Sequence, residues 1–421
     1  RKSPGPHTCQ AAIFLGWRAN QQGDRATGQR WARSALSLAL AVVAPSGVKS
    51  TKKSPTIERD LHQLGIAALN VAGFSPHPQP GGRLVIDRDR ETLELLERAV
   101  SALPAGSEAL PILEIELEWL SGSLRPSNAS LKKAKSLVEQ TGGVANRLVA
   151  AMATQTFLRR FGRAIPIKSR IDYVHRVLDE QSNLGERLML AFLEHLALLE
   201  LGRLQEAASL VSGLRTEAET AGTEIDIGAA RVLTIRHYLW TGDLSEAERR
   251  LTGSSGNDRP TPVDLAAIQM EQRSELARLL AQPEHQQAIN RELAESTMEP
   301  ATKAALLCHV GDIDLAQGFL DLAVERITVG RSRSVDEAAA ARVATAASIL
   351  QRPTVAAAVL PVLDDLGDEM LVTNNNSILL GPASYYLGLA AATVGNRALA
   401  NEAFDAAVAT ALSNGGKPLA V

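Results

Sequence analysis

The chain has 421 residues and a formal net charge of −3, which argues against direct binding of nucleic acid because such surfaces are usually basic. Its two cysteines, Cys9 and Cys308, form no disulfide framework, which favours a reducing compartment, and we expect a cytoplasmic protein. The longest apolar run, residues 35–44, has about half the length of a bilayer span, so no membrane segment is expected.

Apolar residues recur at helical spacing along most of the chain, which begins with a predicted helix pair over 8–43. The one strand candidate, Arg83–Asp87, is short and follows a Pro/Gly loop. At roughly twenty residues for each helix and turn, we expect about eighteen to twenty helices. Polar loops at 75–82 and 253–262 are candidate joints. The predicted parts are 1–142, with two long loops, 143–253, which is the most regular, and 263–421.

A short phrase recurs between residues 202 and 400, with a turn glycine followed five residues later by alanine. Glycine tolerates the backbone angle of a tight turn between antiparallel helices, and the small alanine lets the second helix approach the first. The degenerate copy Gln351–Ala356 lacks the glycine. The four full copies are Gly202 to Ala207, Gly242 to Ala247, Gly311 to Ala316 and Gly395 to Ala400.

The last copy shows the pattern most fully. Gly388 lies seven residues before Gly395, and Ala400, Phe404 and Ala407 follow on one helix face. This set resembles the tetratricopeptide repeat. We therefore predict an all-α fold, a right-handed superhelical α-solenoid of tetratricopeptide-like helical hairpins, and such stacks usually bind partners rather than react with them.

Catalytic motifs are absent from the sequence: it has no HExxH, CxxC, GxSxG or GxGxxG. Gly47–Ser50 lacks the first glycine and the lysine spacing of a phosphate-binding loop. His195 and His237 precede the turn glycines Gly202 and Gly242, where a packed or exposed histidine is commoner than a ligand. We predict no catalytic, cofactor-binding or metal-binding residue and no enzyme activity.

Five residues are candidates for a partner or effector groove, because the first helices of stacked hairpins line the concave face of a solenoid. Tyrosine and arginine are enriched at binding hot spots, and aromatic residues are only 4% of this chain. The alternative is that one tyrosine packs in the core and the arginines are solvated. The candidates are Arg231, Arg236, His237, Tyr385 and Tyr386.

Four segments suggest a family. The closing segment Gly381–Pro418 resembles the last repeat of the helical arm in large actinobacterial regulators, which are ATP-dependent (STAND-type) proteins of the LuxR-type, activator-type and cyclase-linked kinds. Val85–Gly106, Glu186–Val211 and the entry helix Gly23–Ala39 are similar to earlier parts of the same arm.

The resemblance implies a sensor and scaffold arm that binds a protein or small effector and regulates an attached ATPase in a transcriptional regulator. In that family the ATPase and a DNA-binding or cyclase module lie elsewhere in the polypeptide, so we expect this chain to be the arm alone. The alternatives are a free-standing adaptor, the arm of an adenylate-cyclase-linked protein, and an enzyme with a groove site. Uncovered repeat ends would favour self-association.

Overall fold

A computed structural model describes most of the chain. The loops expected at 75–82 and 253–262, the strand candidate Arg83–Asp87 and Gly47–Ser50 lie outside the described residues. Within the described part the chain forms eighteen helices and two short strands, so the all-helical class is confirmed. No helix in that part combines the length and hydropathy that a membrane span needs. The described residues are 6–21, 25–43, 55–72, 90–107, 109–120, 132, 136, 154, 158, 165–178, 182–252, 263–296, 299–328, 337–373 and 377–417.

The chain divides into two compact units, residues 1–193 with 262–264 and residues 194–261 with 265–421. One boundary falls inside a helix, α7 (Leu184–Glu200), and residues 262–264 are grouped with the first unit. The helices before α7 are α1 Pro6–Gln21, α2 Arg25–Val43, α3 Pro55–Val71, α4 Arg90–Ala102, α5 Leu110–Leu120 and α6 Ile167–Val177.

The first unit is built on packed amphipathic helices. Helix α2 packs on α1, α3 and α4, and α5 packs on α3 and α4. Leu36, Leu64 and Leu96 are fully buried where these helices meet. A Cβ on Gly16 of α1 would lie 3.1 Å from the carbonyl oxygen of Gly28, so α1 and α2 approach closely at these two glycines.

The second unit contains successive helical hairpins followed by one short sheet and a final hairpin. Its helices after α7 are α8 Leu204–Ala221, α9 Glu224–Thr241, α10 Leu244–Thr252, α11 Val263–Leu279, α12 Pro283–Ser296, α13 Pro300–Val310, α14 Ile313–Thr328, α15 Glu337–Ile349, α16 Pro353–Leu366, α17 Ala383–Thr393 and α18 Arg397–Ser413.

Six hairpins share one turn geometry. In each, a residue with positive φ ends the first helix, and the next N–H donates to the carbonyl four residues before the turn, as in a Schellman motif. The donor–acceptor distances run from 2.8 Å, at Gln282 N to Ala277 O, to 3.1 Å, at Asp312 N to Leu307 O. The six turn residues are Gly202, Gly242, Ala281, Gly311, Gln351 and Gly395.

The sequence pattern did not reveal the turn at Ala281. Its φ is 52°, as at Gln351. Five residues after the other turns the structure has a buried alanine, including Ala207, Ala247, Ala316 and Ala400, but here it has the partly buried Gln286. This hairpin therefore lacks both the turn glycine and the alanine five residues after it, which are the two features that define the repeat in the sequence.

The two helices of each hairpin differ in burial. The first helices α9, α13, α15 and α17 are buried on nearly all sides, which places them in the interior. The second helices bury one stripe: on α18 it is Ala400, Ala403, Ala407 and Ala411. Gly388 of α17 faces this helix, and a Cβ there would lie 2.6 Å from the Phe404 ring.

A β-hairpin separates the last two helical hairpins that the structure describes, and the sequence pattern did not predict it. Strand β1 (Met370–Val372) pairs antiparallel with β2 (Leu379–Pro382). The connection reaches other helices, because the Gln272 Nε2 of α11 donates to the carbonyls of Val232 at 2.9 Å and Ser377 at 3.0 Å. The hairpin therefore ties α9 and α11 to the end of the array.

The turn that follows α18, residues 414–416, lies against an early hairpin of the same unit. The Trp240 Nε1 donates to the Asn414 carbonyl at 2.8 Å. A Cβ on Gly415 would lie 2.7 Å from the Leu204 side chain, and one on Gly416 would lie 2.4 Å from the Trp240 ring. An open stack in which each repeat contacts only its neighbours has no such contact.

Candidate functional site

The five groove candidates lie in three different places. Arg231 lies at the junction of α9 and α10, Arg236 and His237 are buried further along α9, and Tyr385 and Tyr386 lie on α17. Arg236, His237 and Tyr386 are buried, Arg231 is partly buried, and Tyr385 is 37% exposed.

Helix α9 has well-defined ends that place its side chains. Thr223 and Asp226 form a reciprocal capping box at the N-terminus, with Asp226 N to Thr223 Oγ1 at 3.3 Å and Thr223 N to Asp226 Oδ2 at 2.9 Å. Gly242 ends the helix in the left-handed conformation. Arg236 and His237 lie in the fourth turn of this helix, between its two well-defined ends.

Arg236, His195 of α7 and His237 are linked in that order by two hydrogen bonds, and they are here called the histidine cluster. The Arg236 Nη2 lies 2.8 Å from the His195 Nδ1, and the His195 Nε2 lies 3.0 Å from the His237 Nδ1. A guanidinium can only donate, so His195 accepts at Nδ1 and carries its proton on Nε2. It then donates to His237, which carries its own proton on Nε2.

Burial keeps both imidazoles neutral. It lowers the pKa of His195 well below 6.5, with the charge of Arg236 and then His237 adding to the effect. It lowers the pKa of His237 to about 4, and Arg236 lowers it further. Burial also lowers the pKa of Arg236 to about 9, so the guanidinium is charged near neutral pH. The cluster is one buried cation held by two neutral rings.

The space beside the histidine cluster is small. A cleft of about 20 Å³ lies between Arg236 and the Glu275–Arg278 pair of α11, with room for a single water molecule. It could not hold an organic effector as it stands. Leu239, Trp240, Leu279, Ile378 and Leu379 complete its lining.

Arg231 caps a helix. Its Nε donates to the Arg250 carbonyl at 3.0 Å, and the Arg273 Nη2 donates to the Leu251 carbonyl at 3.3 Å. Both carbonyls belong to the last turn of α10, where cations complement the negative end of the helix dipole. This contact gives Arg231 a structural role in joining α9 to α10.

The two tyrosines of α17 have opposite surroundings. Tyr386 is buried, its hydroxyl donates to the Leu380 carbonyl at 2.9 Å, and burial raises its pKa. Tyr385 is 37% exposed, and its ring packs edge-on against Tyr386 with centroids 5.1 Å apart. It also lies 6.0 Å from the Phe404 ring. Tyr385 is the only one of the five candidates that the structure leaves exposed.

Charged groups on two other first helices, α11 and α15, act electrostatically on Tyr386. Arg278 of α11 pairs with Glu275 through two bonds, Nη2 to Oε1 at 2.6 Å and Nε to Oε2 at 2.9 Å. Both act electrostatically on Tyr386, as does Arg342 of α15. Burial, Arg342 and Arg278 lower the pKa of His309 on α13, against a smaller opposite effect of Glu275. We call Glu275, Arg278, His309, Arg342, Tyr385 and Tyr386 the polar cluster.

Sequence reasoning missed Arg278, His309 and Arg342. Arg278 and His309 lie three and two residues before the turn residues Ala281 and Gly311, so the first helices carry polar residues near their ends. Arg342 is the one basic residue in the alanine-rich α15. An isolated charge in an otherwise apolar helix is a signal that could have identified it.

Within the described residues no group of three or more His, Cys, Asp or Glu side chains is placed to hold a metal ion. The chain matches no protein-family model, and no curated protein matches it significantly.

Proposed function

We propose that the chain is a non-catalytic binding arm whose second unit recognises a partner or small effector. The observation that carries this proposal is the polar cluster, because four successive first helices, α11, α13, α15 and α17, contribute to it. Surfaces assembled from equivalent helices of successive repeats are how helical-repeat proteins bind. The six hairpin turns with the same hydrogen-bond pattern support the tetratricopeptide-like part of the proposal.

The hairpins would form a right-handed superhelix wound tightly enough for its ends to touch. The contact of Trp240 with Asn414 supports this arrangement. A ligand that binds more tightly when this contact is made, or when it is broken, would shift the equilibrium between two arrangements of the arm. That difference in affinity is the free energy available for signalling to an attached module.

The attached module would be a signalling ATPase in the same polypeptide, within a cytoplasmic transcriptional regulator. That regulator would also contain a DNA-binding or cyclase module. The arm itself would make no direct nucleic-acid contact. This part of the proposal rests on the resemblance of segments such as Gly381–Pro418 to the arms of STAND-type regulators. Sequencing the DNA on both sides of the reading frame tests it. An in-frame phosphate-binding loop upstream supports the regulator arm, whereas a start codon and a stop codon directly flanking the chain contradict it.

A second candidate is an adaptor that joins proteins, and exposed apolar residues on second helices favour it. Leu315 and Leu322 lie seven residues apart on one face of α14, and Val408 and Leu412 lie four apart on α18. Exposed apolar patches mark protein contacts or self-association. Analytical ultracentrifugation of the wild type and of Leu412→Gln tests this: concentration-dependent association that the variant loses favours the adaptor.

A further inference from the structure

Helix α14 has apolar residues on two opposite faces. One face packs in the core through Ala316, Leu320 and Ala323, which are all buried. The opposite face carries Leu315 and Leu322, which are 53% and 48% exposed and lie seven residues apart, about two turns of the helix. The second helix of a hairpin packs on its own chain through one apolar stripe, so a second stripe is a surface that a partner can cover.

The exposed stripe has the spacing of a helix–helix contact. Leu315, Gly318 and Leu322 follow one another at steps of three and four residues, as the seam residues of a coiled coil do, and we call them the α14 seam. A Cβ on Gly318 would meet nothing within 4 Å, so the space between the two leucines is open. A side chain of a helix laid along the seam can enter that space as a knob enters a hole. The partner that fits this face is therefore a helix with apolar residues at the same spacing.

The charge along one edge of the α14 seam is negative. Asp314 and Asp321 each directly precede one of the two leucines, and Glu325 lies four residues after Asp321; these three exposed residues are called the acidic row. In a coiled coil, charges beside the seam choose the partner. Arg352 supplies one positive charge, because its Nη2 lies 2.9 Å from the Asp321 Oδ1. Two negative charges remain among the described side chains of this edge, so the complementary helix is basic.

The other edge of the α14 seam has a different character. Phe319 lies on that side, and the Lys303 Nζ of α13 is 4.6 Å from the centroid of its ring. The negative charge is thus confined to one edge. A charge pattern that differs between the two edges fixes how a partner helix is turned on the face.

We propose that the α14 seam docks an amphipathic helix of a partner protein, whose apolar residues cover the two leucines and whose lysines or arginines pair with the acidic row. A second copy of this chain docking through the same face is disfavoured, because two acidic rows would then be brought together. The inference rests on the proposed binding function and names the chemistry of one partner.

Isothermal titration of the full chain with three synthetic peptides, each two heptads long, tests the proposal. The first has leucines at three- and four-residue steps and lysines elsewhere, and the second has glutamates in place of the lysines. The third has the composition of the first in an order without an apolar stripe. We expect the first peptide to bind at least roughly tenfold more tightly than either of the others. Failure of the first peptide to bind, or equal binding of either control peptide, overturns the proposal.

Variants test whether the peptide binds on α14. Leu315→Gln removes part of the apolar stripe and Asp314→Lys reverses a charge of the acidic row, so each should weaken binding of the lysine peptide by roughly threefold to tenfold. The matched controls are Leu412→Gln and Asp405→Lys, at exposed positions of α18, and they should bind like the wild type. Circular dichroism checks that the four variants keep the fold. Unchanged binding by both α14 variants, or an equal loss in the controls, contradicts the assignment.

Sedimentation of the same proteins without peptide tests a second copy as the occupant. Self-association of the wild type that Leu315→Gln loses and Leu412→Gln keeps would assign the α14 seam to an interface between copies and overturn the proposal. Failure here is separable from failure of the proposed function. The neighbouring reading frame still decides the regulator arm, and Leu412→Gln still tests the adaptor.

Discussion

The histidine cluster and the polar cluster use similar residues on first helices, yet their environments are opposite. Arg236 is 1% exposed and donates to His195, which in turn donates to His237. Arg342 is half-buried and has no acceptor within the described residues. The two arginines have the same residue type and both lie on first helices, so neither property separates them. What separates them is whether other elements of the chain cover the arginine.

The closure around the histidine cluster comes from distant sequence. Trp240 lies three residues after His237 on α9, and its ring and indole N–H are covered by residues 414–416. Ile378 and Leu379 close the adjacent cleft. At the polar cluster Tyr385 remains exposed. Stability should therefore depend on the first cluster and binding on the second.

Truncating the two arginines should separate the clusters most strongly. Arg236→Ala leaves the His195 Nδ1 acceptor unsatisfied and removes a fully buried side chain, so we expect a loss of roughly 1–3 kcal/mol in the free energy of unfolding. Arg342→Ala, in a helix already rich in alanine, should change it by no more than about 0.5 kcal/mol. Urea unfolding followed by circular dichroism measures both. Equal shifts of the two midpoints would show that the clusters do not differ in this way.

Acid should destabilise the histidine cluster. The pKa of His237 is near 6.5 in the unfolded chain and about 4 in the folded one, so the unfolded state binds more protons between these values and stability falls as pH falls through that window. The loss from His237 is roughly 3 kcal/mol at most, and His195 adds to it in the same direction.

Unfolding midpoints measured from pH 7 to pH 4 check this expectation. His237→Gln should be less stable at pH 7 but show a shallower fall, whereas His285→Gln, at an exposed position on α12, should follow the wild type. An unchanged slope in His237→Gln would mean that other groups cause the acid sensitivity.

Adding a methyl group to Gly416 tests whether the contact of residues 414–416 with Trp240 stabilises α9. A Cβ on Gly416 would lie 2.4 Å from the Trp240 ring, so Gly416→Ala should cost about 1–3 kcal/mol through overpacking. The control is Gly213→Ala on α8, where a Cβ would meet nothing within 4 Å, and where alanine should stabilise the helix by about 0.5–1 kcal/mol. Thermal unfolding of both variants gives the comparison. A neutral Gly416→Ala would mean that the last turn can move away from Trp240 without loss.

Local pattern predicted the helical class and the positions of turns where glycine and alanine recur. The turns at Gly202, Gly242, Gly311 and Gly395 have positive φ because the chain must leave one helix and enter the next within a few residues. Ala281 adopts the same conformation without a glycine. Composition alone therefore finds the common turns and misses the exceptional one.

Long-range contacts could not be predicted from the sequence, and they determine the candidate sites. His195 meets Arg236 across 41 residues, and Trp240 meets Asn414 across 174. Repeat periodicity places Arg236 and Tyr385 alike on first helices but carries no information on what covers them. The β-hairpin at Met370–Pro382 was missed for the same reason, because its strands are three and four residues long and are held by pairing and by contacts with α11.

The smallest expected difference is between the two adjacent tyrosines. Tyr386→Phe removes the hydroxyl that donates to the Leu380 carbonyl and should cost about 1 kcal/mol in the free energy of unfolding. Tyr385→Phe removes an exposed hydroxyl and keeps the ring contacts with Tyr386 and Phe404, so it should be close to neutral. Urea midpoints of the two variants, measured side by side, resolve the difference. If Tyr385→Phe lowered the free energy of unfolding more than Tyr386→Phe, the Tyr385 hydroxyl would contribute to the packed core. The contrast between a buried structural cluster and an exposed one would then not hold on α17.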